Sequence, residues 1–440
     1  MKGITIMKQS VFNFFFPYDK QPDSMIAYNT RTNALALIDR PHYKVWRRFA
    51  DYDEKIIDED FVRSLYDTGF VVDDEVDELT LLRYNMLKDR FDTHHIGLTI
   101  APTMNCNFRC PYCYEKSSLQ NKRMNKAVQE KVISFIEGWS DFIHNLSIDW
   151  YGGEPLLEID LIRKLSKQFM AICKDKGIEY NSNMVTNGYN LTPEIAKELN
   201  ELKVTNVQVT IDGPEDIHNA RRILADGQGS FKRIIKNICE SIDYLQTLTI
   251  RVNTDFDNQD RIDEVFTILK DNNLSDKVRV YLGFVQSTDD YASEKCMSTE
   301  LFSKRNFKFL KSNGIKIINT YPRLITCFCG ADSINSYVVD PDGNMYKCWE
   351  DIGKQDKIIF NLLDKSDMTG LKGICKSFDY MMYDPTSDLE CRDCKYLPIC
   401  MGGCPNKRML SRTSCIEKRY SLEKYLQEYA NYIIQNRTEK

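Results

Sequence analysis

Between residues 97 and 284 the chain repeats one pattern, a short apolar stretch followed by a longer segment with apolar positions at helical spacing. Residues 97–101, 146–150, 181–186, 207–211, 248–253 and 278–284 read as strands. Residues 126–139, 160–175, 193–202, 231–245 and 260–269 read as the helices between them. Alternating strands and helices of these lengths imply parallel βα units. Six units predict an α/β fold built on an open, partial (β/α)6 barrel of the TIM type rather than a closed eight-stranded one. Side chains alternate across a strand, so Val207, Val209 and Ile211 share one face while Gln208, Thr210 and Asp212 share the other. The fifth strand repeats this, with Ile250 and Val252 opposed to Arg251, Asn253 and Asp255. A polar inner face predicts a lumen that holds a polar ligand.

The flanks follow other rules. Apolar stretches at 11–16, 25–28 and 34–38 read as strands, 43–52 and 59–66 as helices, and 70–72 as a returning strand, which together make a small winged-helix-like module. An acidic stretch at 73–78 then leads into a linker helix reaching Phe91. Past residue 285 the repeat ends. A hairpin is expected from 336–339 and 344–347, joined by Asp340-Pro341-Asp342-Gly343, and an amphipathic helix over 422–435 closes the chain. Three spans result, 1–92, 93–290 and 291–440, in keeping with 440 residues.

Composition narrows the chemistry. Lys and Arg number 59 against 64 Asp and Glu, a formal charge of −5, so no global positive field points to nucleic acid or an anionic membrane. No run is long or apolar enough for a signal peptide or a membrane span, and a cytoplasmic location is expected. Fifteen cysteines are then the anomaly, because a reducing compartment disfavours structural disulfides. Metal or redox chemistry accounts for them better.

Three of them, Cys106, Cys110 and Cys113, follow the first barrel strand as C-x3-C-x2-C. At this cysteine frequency the spacing arises by chance on the order of 0.02 times. Three thiolates on one loop can ligate three irons of a four-iron cluster and leave the fourth open to a small molecule. Structural zinc wants four protein ligands. A second group, Cys391, Cys394, Cys400 and Cys404, reads C-x2-C-x5-C-x3-C with Cys415 beyond it. Upstream, Cys329 and Cys348 flank the hairpin, the latter in a G-x4-C ending from Gly343.

The first loop, with Tyr112 before its last cysteine, resembles the radical S-adenosylmethionine (radical SAM) enzymes. Tyr151-Gly152-Gly153-Glu154-Pro155 after the second strand is similar to that family's glycine-rich element, which contacts the cofactor's methionine amino group. The resemblance implies that the open iron chelates S-adenosylmethionine and that the cluster's electron releases a 5′-deoxyadenosyl radical, which takes a hydrogen atom from a substrate. It assigns cofactor contacts to Tyr112, Gly152, Gly153, Glu154, Thr186, Asn187, Thr210 and Arg251. Glu154 would offer a carboxylate to an ammonium; Arg251 would meet the cofactor carboxylate or else neutralise Asp212 or Asp255.

The later cysteines resemble a SPASM domain, which carries two auxiliary clusters, for three [4Fe-4S] clusters in all. The resemblance gives Cys329, Cys348 and Cys404 to one, with Cys327 the candidate to complete it and an open iron the alternative. It gives Cys391, Cys394, Cys400 and Cys415 to the other. Cys173 and Cys239 fall on apolar helix faces and read as core residues, whereas Cys375 stays a spare candidate ligand. The N-terminal module resembles a RiPP recognition element, which binds a precursor's leader peptide as an added strand. A peptide maturase forming a side-chain cross-link is the function implied, served by a flavodoxin or ferredoxin as electron donor. An anaerobic sulfatase-maturating enzyme is the alternative, although that group places Asp after the hairpin's second cysteine, where this chain has Trp349. Glu350 and Asp351 are the candidate catalytic acids. A non-enzymatic iron–sulfur electron carrier is the remaining reading.

Overall fold

The computed structural model describes residues 7–48, 59–288, 290–315, 317–364, 371–410 and 415–438. The N-terminal module has strands β1 (Met7–Gln9), β2 (Asn13–Pro17), β3 (Ser24–Asn29) and β4 (Ala34–Asp39), helices α1 (Arg40–Arg47) and α2 (Glu59–Asp67), strand β5 (Val71–Asp73) and helix α3 (Glu78–Arg90). Helix α1 starts before the sequence pattern suggests, because Asp39 caps it by accepting from His42 N and Pro41 suits its first turn. Positions 49–52 of the expected helix lie outside the described residues. Strands β2, β3 and β4 form an antiparallel sheet in that order, and β1 pairs with β5 separately.

The repeat resolves into β6 (His95–Ile100), α4 (Lys126–Trp139), β7 (Asn145–Trp150), α5 (Ile159–Lys176), β8 (Glu179–Thr186), α6 (Pro193–Glu201), β9 (Val204–Thr210), α7 (Glu215–Arg221), α8 (Phe231–Ser241), β10 (Leu248–Thr254), α9 (Glu264–Asp271) and β11 (Val278–Phe284). The six strands pair in parallel from β6 to β11. Their apolar positions, among them Leu98, Ile148, Val209 and Ile250, are buried. Helix α7 is an element that the sequence pattern did not separate.

After α10 (Thr299–Ser312) comes the hairpin β12 (Ser336–Val339) and β13 (Asn344–Tyr346), then β14 (Phe360–Asn361), α11 (Leu371–Met381), α12 (Leu397–Cys400), α13 (Pro405–Met409) and α14 (Leu422–Thr438). Strand β12 does not stand apart with its hairpin. It pairs in parallel with β6, so nine strands run β11-β10-β9-β8-β7-β6-β12-β13-β14. Gly97 allows this, since a Cβ there would sit 2.9 Å from Ser336 Oγ. The edge that a closed barrel would offer to β11 is thereby taken by the hairpin.

The spans 1–92, 93–290 and 291–440 are redistributed over two compact units. One gathers Met1–Arg90, Ser303–Cys329 and Tyr383–Lys440, and the other Phe91–Phe302 and Gly330–Met382. The hairpin's pairing with β6 is the reason that 330–382 go with the barrel. In the first unit, Tyr18, Ile26 and Tyr28 share a core with Leu422, Leu426 and Ala430 of α14, while Phe12 and Met86 pack with Leu397 and Met401. Gln427 Nε2 also donates to Pro17 O at 2.6 Å. Among the described residues no helix is long and apolar enough to cross a membrane.

Candidate active site

Cys106, Cys110 and Cys113 lie on the loop that leaves β6, and three neighbouring chain ends hold that loop. From the β7 end, Gly153 N donates to Thr103 O at 3.2 Å and Glu154 N to Asn105 O at 2.9 Å. From the β8 end, Asn187 Nδ2 donates to Asn107 Oδ1 at 2.7 Å. From the chain after α7, Arg109 N reaches Ile223 O at 2.8 Å, while Ala225 N reaches Asn107 O at the same distance. The glycines make the first tie possible. Gly152 has φ +93°, and a Cβ on Gly153 would stand 2.3 Å from Asn105 O.

Burial, reinforced by Glu154, pushes the Cys106 thiol up to about 12, and burial with Glu115 does the same to Cys113. Thiols so costly to ionise on their own are stabilised as thiolates by a polyvalent iron group. The donor set fits a cluster: three cysteines on one loop, with Phe108 N pointing at Cys106 Sγ at 3.4 Å. Among the described residues no three His, Cys, Asp or Glu side chains converge on a single metal-ion position.

Behind the loop is a buried polar network. Tyr112 OH donates to Asp212 and receives from Arg222 Nη1 at 3.0 Å and Asn253 Nδ2 at 3.3 Å. Arg221 joins Asp212 (Nε to Oδ2, 3.3 Å) to Asp255 (Nη1 to both oxygens, 2.8 Å) and lies over the Tyr112 ring. Tyr291 OH completes Asp255 at 2.6 Å. The sequence pattern does not single out Arg221 and Arg222, which stand at the C-terminal end of α7, 11 residues and more past the end of β9. Asp212 and Asp255 are therefore neutralised by Arg221 and not by Arg251. Arg251 donates to Asn253 Oδ1 at 2.7 Å and packs over Tyr281, and pairs with no carboxylate among the described residues.

Glu154 is held by the chain around it. Its buried carboxylate accepts from Leu156 N (2.9 Å), Thr186 Oγ1 (2.7 Å) and Asn187 N (2.7 Å). These bonds spend most of its acceptor capacity on the chain itself, so the residue braces the β7 end against the β8 end. Thr186 and Asn187 serve the same brace. Thr210 is buried beside Arg251 in the β9–β10 register.

An aromatic wall borders the loop. Tyr114 OH donates to Tyr151 OH at 2.5 Å, and the Tyr151 ring lies 4.6 Å from that of Trp349. Of the two candidate acids beside Trp349, Glu350 is exposed to solvent. Asp351 is buried, accepting from Tyr380 OH and lying 3.6 Å from Lys354 Nζ. Those partners make Asp351 an anchor of its loop.

In the first unit, Cys391, Cys394, Cys400 and Cys415 line one cavity of about 280 Å³ together with Tyr383, Arg408 and Arg419. Arg419 Nη1 donates to Cys415 Sγ at 3.2 Å, and Tyr383 OH to Cys391 Sγ at 3.7 Å. Cys327, Cys329 and Cys404 belong to this unit and Cys348 to the other. Of the remaining cysteines, Cys173 is buried in α5, Cys239 is half-buried against Asn272, and Cys375 is exposed on α11.

Comparison with known proteins agrees with this geometry. A cysteine-type anaerobic sulfatase-maturating enzyme of Clostridium perfringens is 24% identical over 366 residues, 76% of this chain and 96% of its own. The mycofactocin maturase MftC of Mycolicibacterium smegmatis is 23% identical over 70% of this chain and 78% of its own. Among solved structures, anSMEcpe with bound AdoMet and a Kp18Cys peptide matches with TM-score 0.61 at 20% identity, over 77% of this chain and 99% of that one. Streptococcus suis SuiB bound to the precursor peptide SuiA matches with TM-score 0.52 at 13% identity, over 94% of this chain and 99% of that one. The sequence model described as the radical SAM superfamily matches residues 100–291. That match runs from the end of β6 past β11, across the cysteine loop and the glycine-rich turn, and this stretch of the chain accordingly is a radical SAM domain.

Proposed function

We propose that this enzyme matures a ribosomally made precursor peptide, holding a leader segment on its N-terminal module and oxidising the peptide at the barrel mouth to close a thioether or carbon–carbon cross-link. The observation that carries this reading is the sheet β2-β3-β4, in which β4 is an edge strand with Leu37 39% exposed. An edge of this kind can accept an extended segment as a fourth strand. The fold likeness to SuiB, solved with its own precursor peptide and spanning 94% of this chain, supports it.

When bound, S-adenosylmethionine and the reduced cluster supply hydrogen-atom abstraction from carbon. Cys106, Cys110 and Cys113 would hold that cluster. The Gly152-Gly153 turn lets the backbone approach the cofactor, and Arg251 keeps a guanidinium available to a carboxylate. The Arg221–Asp212–Tyr112 network fixes the loop from behind. Cys391, Cys394, Cys400 and Cys415 would hold one auxiliary cluster around their cavity. Cys327, Cys329 and Cys404 of the same unit would contribute to the other. A flavodoxin or ferredoxin is the electron donor in this reading.

A sulfatase-maturating activity is the second reading, favoured by the 24% identity to that enzyme over 76% of the chain. Mass spectrometry of a short peptide encoded beside the gene, after anaerobic turnover, separates the two. A cross-link removes a pair of hydrogens and keeps sulfur, whereas conversion of Cys to formylglycine loses sulfur. Removing the whole N-terminal module is a poor test of leader binding, because Tyr18, Ile26 and Tyr28 share a core with α14. Leu37→Asp on the β4 edge is the better one. It should weaken peptide binding by about tenfold, the order of one lost apolar contact or strand interaction, while leaving S-adenosylmethionine cleavage intact. Unchanged peptide affinity would sink the edge-strand reading.

A further inference from the structure

Arg222 is 8% exposed and makes no ion pair of its own among the described residues. Its Nη1 donates to Tyr112 OH at 3.0 Å, its Nε has no hydrogen-bond partner there, and its Cζ lies 5.4 Å from the centre of the Phe108 ring. The backbone fixes that position. Arg109 N donates to Ile223 O and Ala225 N to Asn107 O, both at 2.8 Å, and Phe108 bridges to Leu224 between them. The residue after Arg222 is thus bonded to the residue before Cys110, and the guanidinium rests on Phe108 and Tyr112, which stand two positions to either side of Cys110. An arginine stays charged at any working pH, and a buried charge without a partner is costly. The nearby carboxylates are engaged elsewhere: Asp255 bonds Arg221 and Tyr291, while Asp212 bonds Arg221 and reaches Arg222 only through the Tyr112 hydroxyl. Against the burial that disfavours thiolates on the loop, the Arg222 charge favours that of Cys110 more than Arg221 does, and favours that of Cys106 as well. The positive charge facing the cysteine loop therefore has no direct anionic partner until the loop carries one.

We propose that Arg222 is a positioning residue for electron entry: its guanidinium is the counter-charge of the iron–sulfur cluster that Cys106, Cys110 and Cys113 would hold, and it eases the one-electron reduction of that cluster. Reduction takes one electron from the donor protein and adds one negative charge to the cluster; no bond to the protein forms or breaks, and the guanidinium keeps its protons throughout. A fixed cation beside the ligands lowers the energy of the more negative state, so its removal makes reduction harder. The proposal rests on the radical SAM domain and not on the peptide reading, so either can fail without the other.

Anaerobic potentiometric titration of the reconstituted full chain, followed by electron paramagnetic resonance without S-adenosylmethionine or peptide, reads the midpoint directly. The signal of this cluster is the one missing when Cys106, Cys110 and Cys113 are all replaced by Ala. Arg222→Gln should disfavour the reduced form about tenfold, a midpoint about 59 mV more negative for one electron. Arg222→Lys, which keeps the charge and loses the planar fork, should hold the reduction equilibrium within about twofold of the wild-type value. An unchanged midpoint in Arg222→Gln overturns the proposal. So does an equal drop in both variants, which would assign the effect to the bond with Tyr112 and not to the charge. Should Arg222→Gln load no iron, the iron count of Arg222→Lys decides: full loading supports a required counter-charge, whereas loss of iron from both variants overturns the proposal by making Arg222 a packing residue.

Discussion

Arg221→Leu is the substitution whose cost can be worked most directly from the structure. Arg221 is 7% exposed in its side chain, and Asp212 and Asp255 are 0% exposed. Its guanidinium gives two 2.8 Å bonds to Asp255, one of 3.3 Å to Asp212 and one of 3.3 Å to Asn253 O. Removing one partner of a buried pair leaves an uncompensated charge and costs about 3–5 kcal/mol; here two carboxylates are stranded, so the upper part of that range is expected. At about 2–4 °C per kcal/mol for a unit of this size, the midpoint should fall by roughly 8–20 °C. Anaerobic thermal and urea unfolding followed by circular dichroism reads it. Asp212→Asn on its own and combined with Arg221→Leu closes a double-mutant cycle, with an expected coupling of about 1–3 kcal/mol. Tyr112 loses its ordered backing in the variant, so iron held by the cysteine loop should fall as well. A destabilisation below about 1 kcal/mol, or strict additivity in the cycle, would refute the claim that this ion triad holds the loop.

Four further outcomes follow from the structure. Gly153→Ala forces a methyl to within 2.3 Å of Asn105 O and should lower S-adenosylmethionine cleavage more than tenfold by displacing the cysteine loop. Gly138→Ala in α4, with nothing within 4 Å, should leave cleavage alone and add about 0.5–1 kcal/mol of stability; a silent Gly153→Ala would contradict the close-approach argument. Replacing Cys106, Cys110 and Cys113 together by Ala should abolish cleavage and remove only part of the iron, counted on the same sample; complete loss of iron would show that the other cysteines bind none. Burial pulls the Lys418 ammonium down to about 8 from 10.5. Between those values the unfolded chain keeps a proton that the folded chain has released, so this group makes stability rise with pH across that window. Lys418→Met should flatten that rise in anaerobic urea titrations, and an unchanged slope would mean the ammonium is better solvated than its burial indicates.

The barrel was legible because each strand buries a run of alternating β-branched and aliphatic residues. Val207, Val209 and Ile211 announce both the strand and its orientation, and the polar partners Gln208, Thr210 and Asp212 announce the lumen. Helix α4 runs over the residues its periodicity marks, with Asn125 as its cap. Helix α7 was not legible: it is seven residues long, and its value lies in Arg221 and Arg222 reaching a tyrosine more than a hundred positions earlier. Local pattern carries no trace of such a contact. The brace that Glu154 forms was hidden for a related reason. Its glycine-rich surroundings are visible in sequence, but the donors that fill its carboxylate come from the next strand's end. Strand β12 was found as half of a hairpin, whereas its pairing with β6 depends on register between distant segments, marked only by a glycine at 97.

That pairing has a consequence for how the protein is made. Asn335 Nδ2 donates to Thr93 O at 3.1 Å across 242 residues of chain, and β12 covers the outer edge of the first barrel strand. During synthesis at about 5–20 residues per second, that edge waits on the order of 10–50 s for its partner to leave the ribosome. An uncovered strand edge is a template for pairing with another chain. The nascent barrel is thus most vulnerable to aggregation late in translation, and chains that terminate before residue 336 would emerge with a bare β6. Delayed closure of this kind makes the yield of folded enzyme a matter of translation rate and chaperone supply as much as of final stability.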